Sequence, residues 1–154
     1  MTTDDQDPHM PATTRRSLPI ALLRAREAVM ERFRPMLAVH GVTEQQWRVL
    51  RVVGEGGSMD AGVVAERACV LPPSLSRIIR TLEAVGLLRT SRDKNDGRRT
   101  LLTLTARGRS LLGTAAPESA AVHAAIEAAF GKDEVRRLLD QLERLQAALT
   151  QPSG

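Results

Sequence analysis

Apolar residues along this chain recur at helical spacing over most of its length and alternate at strand spacing only in one short region. A first helix is expected over about Ser17–His40. Ser17 serves as its N-cap, Pro19 is tolerated in the first turn and Gly41 is a natural stop. Pro35 lies inside it and should kink it. Thr43-Glu44-Gln45-Gln46 reads as a capping box that opens a second helix to about Val53, followed by a loop over Gly54–Ser58. Asp60 can cap a short helix through about Ala68, and Pro72 and Pro73 open another that Gly86 ends. Strand-prone residues follow near Leu88–Ser91 and Arg99–Leu104, separated by the turn Asn95-Asp96-Gly97. Thr105 can cap a long helix from Ala106 to about Phe130, with a kink or break expected at Pro117. In the last helix, about Asp133–Leu149, Val135, Leu138, Leu139, Leu142, Leu145 and Leu149 share one face.

This order predicts a mainly α chain: a winged helix-turn-helix with a small β wing, and N- and C-terminal helices forming a dimerisation region. Residues 1–14 read as a disordered polar tail, 15–42 and 106–150 as the helical dimerisation region, and 43–105 as the DNA-binding domain. One Trp, two Phe and no Tyr leave the core to Leu, Val, Ala, Ile and Met. The first and last helices are apolar over a wider arc than the small winged unit can cover. A two-fold homodimer would bury the excess; the alternative is a monomer in which those helices pack only on each other.

Charge sharpens the picture. The formal net charge is +4, but Ala61–Arg109 alone carries ten basic residues against four acidic ones. That asymmetry favours a polyanionic partner docked on one part of the molecule, with a simple solvated basic face as the bland alternative. The basic helix opens with Pro73, Ser74, Ser76 and Arg77, with Arg80 about one turn on, while Leu75, Ile78, Ile79 and Leu82 form its apolar stripe. Hydroxyls can bond phosphates or base edges, and Arg can take guanine O6 and N7 in a major groove. For Arg80 the competing reading is a surface pair with Glu83. In the hairpin, Arg98 beside the turn is suited to a narrow minor groove, and Arg92, Lys94 and Arg99 to phosphates. The expected partner is double-stranded DNA with a pseudo-palindromic operator.

Other classes fit less well. His9, His40 and His123 are scattered and match no metal-binding or catalytic spacing, so neither an enzyme, a metal site nor a cofactor is expected. No apolar run reaches membrane-spanning length, and Met1–Thr14 has no apolar core of a signal peptide, which suggests the cytoplasm. The one cysteine, Cys69, excludes an intramolecular disulfide. A thiol-based redox sensor would use it. Its position at the end of the apolar face of Val63, Val64 and Ala68 instead suggests a small buried residue.

The chain resembles the MarR family of transcriptional regulators. The wing pattern D-x-R-x5-L-T stands intact as Asp96, Arg98, Leu104 and Thr105, with Gly108 following, and Pro73–Leu87 is similar to the family's recognition helix and its exit into the wing. The resemblance covers about Leu18 to Leu149. It implies that Asp96 braces a neighbouring Arg through a charge-assisted bond rather than touching DNA. Ile20–Leu37, Thr43–Arg51 and Ser58–Ile78 further resemble the subfamily that represses homoprotocatechuate (3,4-dihydroxyphenylacetate) degradation, which implies release from DNA by a small aromatic acid. Arg26, whose helical neighbours Leu22, Leu23, Val29 and Met30 are all apolar, is then the expected contact for the acid's carboxylate, with a distant ion pair as the alternative. Trp47 would supply a flat wall, with His40 and Arg48 as further polar contacts. Two alternatives stay open: a regulator of another operon with a redox or other effector, and an architectural DNA-binding protein without one.

Overall fold

The computed structural model describes residues 16–151, so the N-terminal segment read as a tail lies outside it. The order is α1 (Leu18–His40), α2 (Glu44–Gly56), β1 (Ser58–Asp60), α3 (Ala61–Ala68), α4 (Pro72–Ala84), β2 (Leu88–Arg92), β3 (Thr100–Leu104), α5 (Ala106–Phe130) and α6 (Lys132–Thr150). Three of the predicted starts are closed by side chains. The Thr43 and Gln46 side chains form the reciprocal capping box of α2, Asp60 accepts from the Val63 N–H, and Thr105 accepts from the Gly108 N–H. Ser17 precedes α1 in an extended conformation, but its hydroxyl makes no capping bond. Gly41 ends α1 in the left-handed region (φ 67°), as expected of a C-terminal glycine.

The hairpin gains a third strand. β1 pairs antiparallel with β3 (Met59 opposite Leu102), and β2 pairs with β3 on its other side (Leu88 opposite Leu104, Arg92 opposite Thr100). Only Met59 of β1 is buried, so three residues carry too little alternation to signal a strand. Helix α2 runs to Gly56 rather than Val53 and absorbs most of the expected loop. Gly54 permits a close approach there, since a β-carbon would stand 2.7 Å from Leu112 and 3.3 Å from Leu104.

Pro117 does not break α5, and α1 runs on through Pro35. Each proline removes one bond to the carbonyl four residues back. Glu31 and Gly113 are exposed, so their freed carbonyls can be hydrated. The expectation for Cys69 also fails: it is exposed, not buried. It occupies the C-cap of α3 in the left-handed conformation (φ 54°), which turns it off the helical stripe, while Ala68 and Val70 take the buried places.

The core lies within the winged unit. Leu50, Leu82, Leu102, Val49, Val53 and Val64 are fully buried, joining α2, α3, α4 and β3. Phe33, Met36 and Leu37 bring the C-terminal half of α1 onto the same cluster. The outer helices differ. No residue of α6 is buried, and Leu138, Leu139 and Leu149 stand exposed, as do Leu18, Leu22, Leu23 and Val29 of α1. None of the described helices is long and apolar enough to cross a membrane.

Candidate nucleic-acid interface and adjoining cleft

Helix α4 separates its faces as its sequence requires. Leu75, Ile78 and Leu82 are buried and Ile79 is half-buried, while Pro73, Ser76, Arg77 and Arg80 are exposed and Ser74 is half-buried. The Ser76 hydroxyl donates back to the Pro72 carbonyl (3.2 Å), which leaves its oxygen able to accept. Neither Arg77 nor Arg80 forms an ion pair among the described residues; the expected competitor for Arg80, Glu83, does not engage it.

The wing tip is tied together by its own polar groups. Asp93 Oδ1 accepts from the Asn95 N–H (2.9 Å), and the Asp96 carbonyl accepts from the Arg99 N–H (3.0 Å). Asp96 Oδ1 accepts from the backbone N–H of Arg98 (3.1 Å). Asp96 thus braces the arginine through its main chain, not through the guanidinium that the resemblance suggested. The side chain that does hold the tip is Arg92, whose Nη1 donates to the Gly97 carbonyl (2.7 Å). Arg99 leans back towards Asp60 (Nε to Oδ1, 3.8 Å). Lys94 and Arg98 are exposed and make no ion pair among the described residues, so their charge faces outward.

Behind this surface, two adjoining cavities of about 180 and 440 Å³ share Trp47, Arg51, Ser119 and His123, from α2 and α5. The smaller also reaches Arg26 and Arg48, so three of the four residues expected at an effector site meet there. His40 does not. Its Nε2 lies 2.8 Å from Glu118 Oε2, and it lines a separate cavity with Arg107. Arg26 is also committed: its Nη2 donates to Glu44 Oε2 (2.8 Å), the distant ion pair weighed against a ligand role, made within one chain. The sequence pattern did not single out Arg51. Its guanidinium carbon stands 6.0 Å from the centroid of the Trp47 ring, and it forms no ion pair among the described residues. The i, i+4 spacing from Trp47 places both on one helix face and was the available signal. Arg48 Nε is buried with no hydrogen-bond partner among the described residues.

Arg34 completes the charge network, bonding Glu44 Oε1 through Nε (2.9 Å) and Glu27 through its outer nitrogens. The Arg34 hydrogen bond holds the Glu27 carboxyl below the usual glutamate value, and the Arg26 hydrogen bond does the same for Glu44. Carboxylates with depressed folded-state pKa values stabilise the fold above their unfolded pKa, and lose that contribution as pH falls through the folded one. The double variant Glu27→Gln, Glu44→Gln should therefore show a flatter loss of thermal stability below about pH 5 than the parent. Parallel melting curves for the two proteins from pH 7 to 3 would contradict this.

An apolar-backed helix with exposed Ser and Arg beside a cationic β-hairpin defines a winged helix-turn-helix DNA-binding protein. Residues 40–99 match the model of the MarR family. The chain is 41% identical over 131 residues to the homoprotocatechuate degradative operon repressor of Escherichia coli, covering 85% of this chain and 88% of that protein. It therefore belongs to the MarR family of transcriptional regulators. Among solved structures, NadR in complex with 4-hydroxyphenylacetate superposes with a TM-score of 0.76 at 39% identity, over 88% of this chain and 97% of that one. The repressor CouR bound to a 23-mer DNA duplex superposes with a TM-score of 0.77 at 28% identity, over 84% and 92%.

Proposed function

We propose that the protein is a homodimeric repressor of an aromatic-acid catabolic operon, released from its operator by a phenolic carboxylate such as 3,4-dihydroxyphenylacetate. The observation that carries this reading is Arg51, a cation without an ion-pair partner among the described residues, set over the Trp47 ring in the cleft between α2 and α5. A guanidinium beside an aromatic plate suits an acid with a planar body. Arg51 takes the carboxylate, Trp47 stacks on the ring, and Arg48 with its buried Nε supplies a second donor. Arg26 instead holds Glu44 in place. The names of the Escherichia coli relative and of the NadR complex support an aromatic-acid effector.

Residues 43–105 form the DNA-binding unit, and 15–42 with 106–150 the dimerisation region, where the exposed leucines of α1 and α6 meet those of a second copy. Each α4 enters a major groove with Pro73, Ser74, Ser76, Arg77 and Arg80, and each wing reaches the minor groove with Arg98. Arg92 and Asp96 hold the wing tip, and Lys94 and Arg99 approach phosphates. The two recognition helices sit roughly 34–36 Å apart when bound to half-sites one DNA turn apart.

Trp47 is the only tryptophan in the chain, so its fluorescence reports on the cleft directly. Titration with 3,4-dihydroxyphenylacetate should perturb that emission and release two chains per operator in a mobility-shift assay. Arg51→Gln should retain DNA binding but weaken the ligand response by about tenfold or more, as expected for losing a charge-assisted contact. An undiminished response in a folded Arg51→Gln protein would remove it from the site.

A further inference from the structure

We infer a second small-molecule site, separate from the Trp47 cleft, that takes a small carboxylate with an aliphatic body. The cavity holding His40 lies between the end of α1, the link from α4 to β2, and the first turns of α5. Its volume of about 430 Å³ matches that of the larger Trp47 cavity, and the two clefts share no lining residue. Small-molecule pockets of roughly 300–1,000 Å³ are ordinary.

The chemistry of the lining sets the ligand class. Arg107, Ser110 and Thr114 succeed one another at helical spacing on α5, which puts a guanidinium and two hydroxyls along one row. His40 is already held by Glu118, so its polarity is matched within the protein. Arg107 is exposed and forms no ion pair among the described residues; its Nη1 lies over Gly86, 3.9 Å from where a β-carbon would stand. The unmatched charge of the cavity is therefore positive, and it calls for an anion. The apolar lining is the aliphatic side chains Val85, Leu87 and Leu111, and the one ring, the His40 imidazole, is tied to Glu118, so the body that fits is aliphatic rather than planar.

The test is a titration of the ¹⁵N-labelled full chain with hexanoate, followed by amide chemical shifts, with hexanol as the uncharged counterpart. Saturable shifts at Gly86, Ser110 and Thr114, weaker for hexanol, are expected. Arg107→Gln should raise the hexanoate dissociation constant about tenfold, with the helical circular dichroism unchanged. Three results would each overturn the assignment: no saturable shift at those amides, shifts confined to residues around Trp47 and Ser119, or equal binding of hexanoate by Arg107→Gln. Because the readout is at the second cavity itself, failure of the aromatic effector at Trp47 leaves this test intact.

Discussion

Arg98→Ala should cut operator affinity roughly 10- to 100-fold at physiological salt while leaving the fold unchanged. The side chain is exposed and makes no hydrogen bond or ion pair among the described residues; only its backbone N–H is used, by Asp96. Truncation therefore removes nothing from the hairpin. What it removes is the exposed cation that the proposed DNA-binding mode places in a narrow, electronegative minor groove, next to the major groove assigned to α4. For each phosphate charge lost, the slope of log affinity against log salt should fall by about one unit. Fluorescence anisotropy of labelled operator at several salt concentrations measures both quantities. Unchanged affinity and slope in a folded variant would take Arg98 out of the interface.

Gly108→Ala should be among the most damaging single changes to stability, by about 3 kcal/mol. A β-carbon at this position would stand 2.2 Å from the Leu87 carbonyl oxygen. That oxygen is backbone and already accepts the Thr105 N–H (3.2 Å), so it has no low-energy way to move. The contact joins the start of β2 to the first turn of α5, and yielding there separates the wing from the helical region. Gly113 is the internal control. It lies in the same helix, and a β-carbon there would meet nothing within 4 Å, so Gly113→Ala should be neutral or stabilising by up to about 1 kcal/mol. Urea denaturation of the three proteins decides the matter, and equal midpoints for the two variants would refute the steric account.

The contrast between those glycines marks where sequence reading works and where it stops. Gly108 was visible as part of a wing motif, but nothing in the letters distinguishes its crowded surroundings from the open ones of Gly113. Caps at Thr43, Asp60 and Thr105 were legible because each depends on residues three apart in the chain. Strand β1 was not, because its pairing with β3 joins residues more than forty positions apart and only Met59 carries an apolar signal. The outward face of α4 followed from periodicity. For the residues around the cleft between α2 and α5, an ion pair was the open alternative for Arg26, but neither its partner nor that of His40 is legible from the local pattern. Arg26 found Glu44 eighteen residues away, and His40 found Glu118 seventy-eight away. Arg51 shares a helix face with Trp47 at i, i+4 spacing, but so common a spacing marks no site until the ring beside it is placed.

Thr105 has a consequence beyond capping. Its hydroxyl donates to the Gly86 carbonyl (2.6 Å) and accepts from the Gly108 N–H (3.0 Å), while its own N–H reaches Leu87. One residue thereby clamps the end of β3, the exit of α4 and the start of α5 into a single joint. From that joint α5 continues as one helix of 25 residues, a path of roughly 37 Å at the ordinary helical rise. With so long an arm on so stiff a pivot, a tilt of about 5° at one end displaces the other by about 3 Å, close to the roughly 3.4 Å rise between successive base pairs.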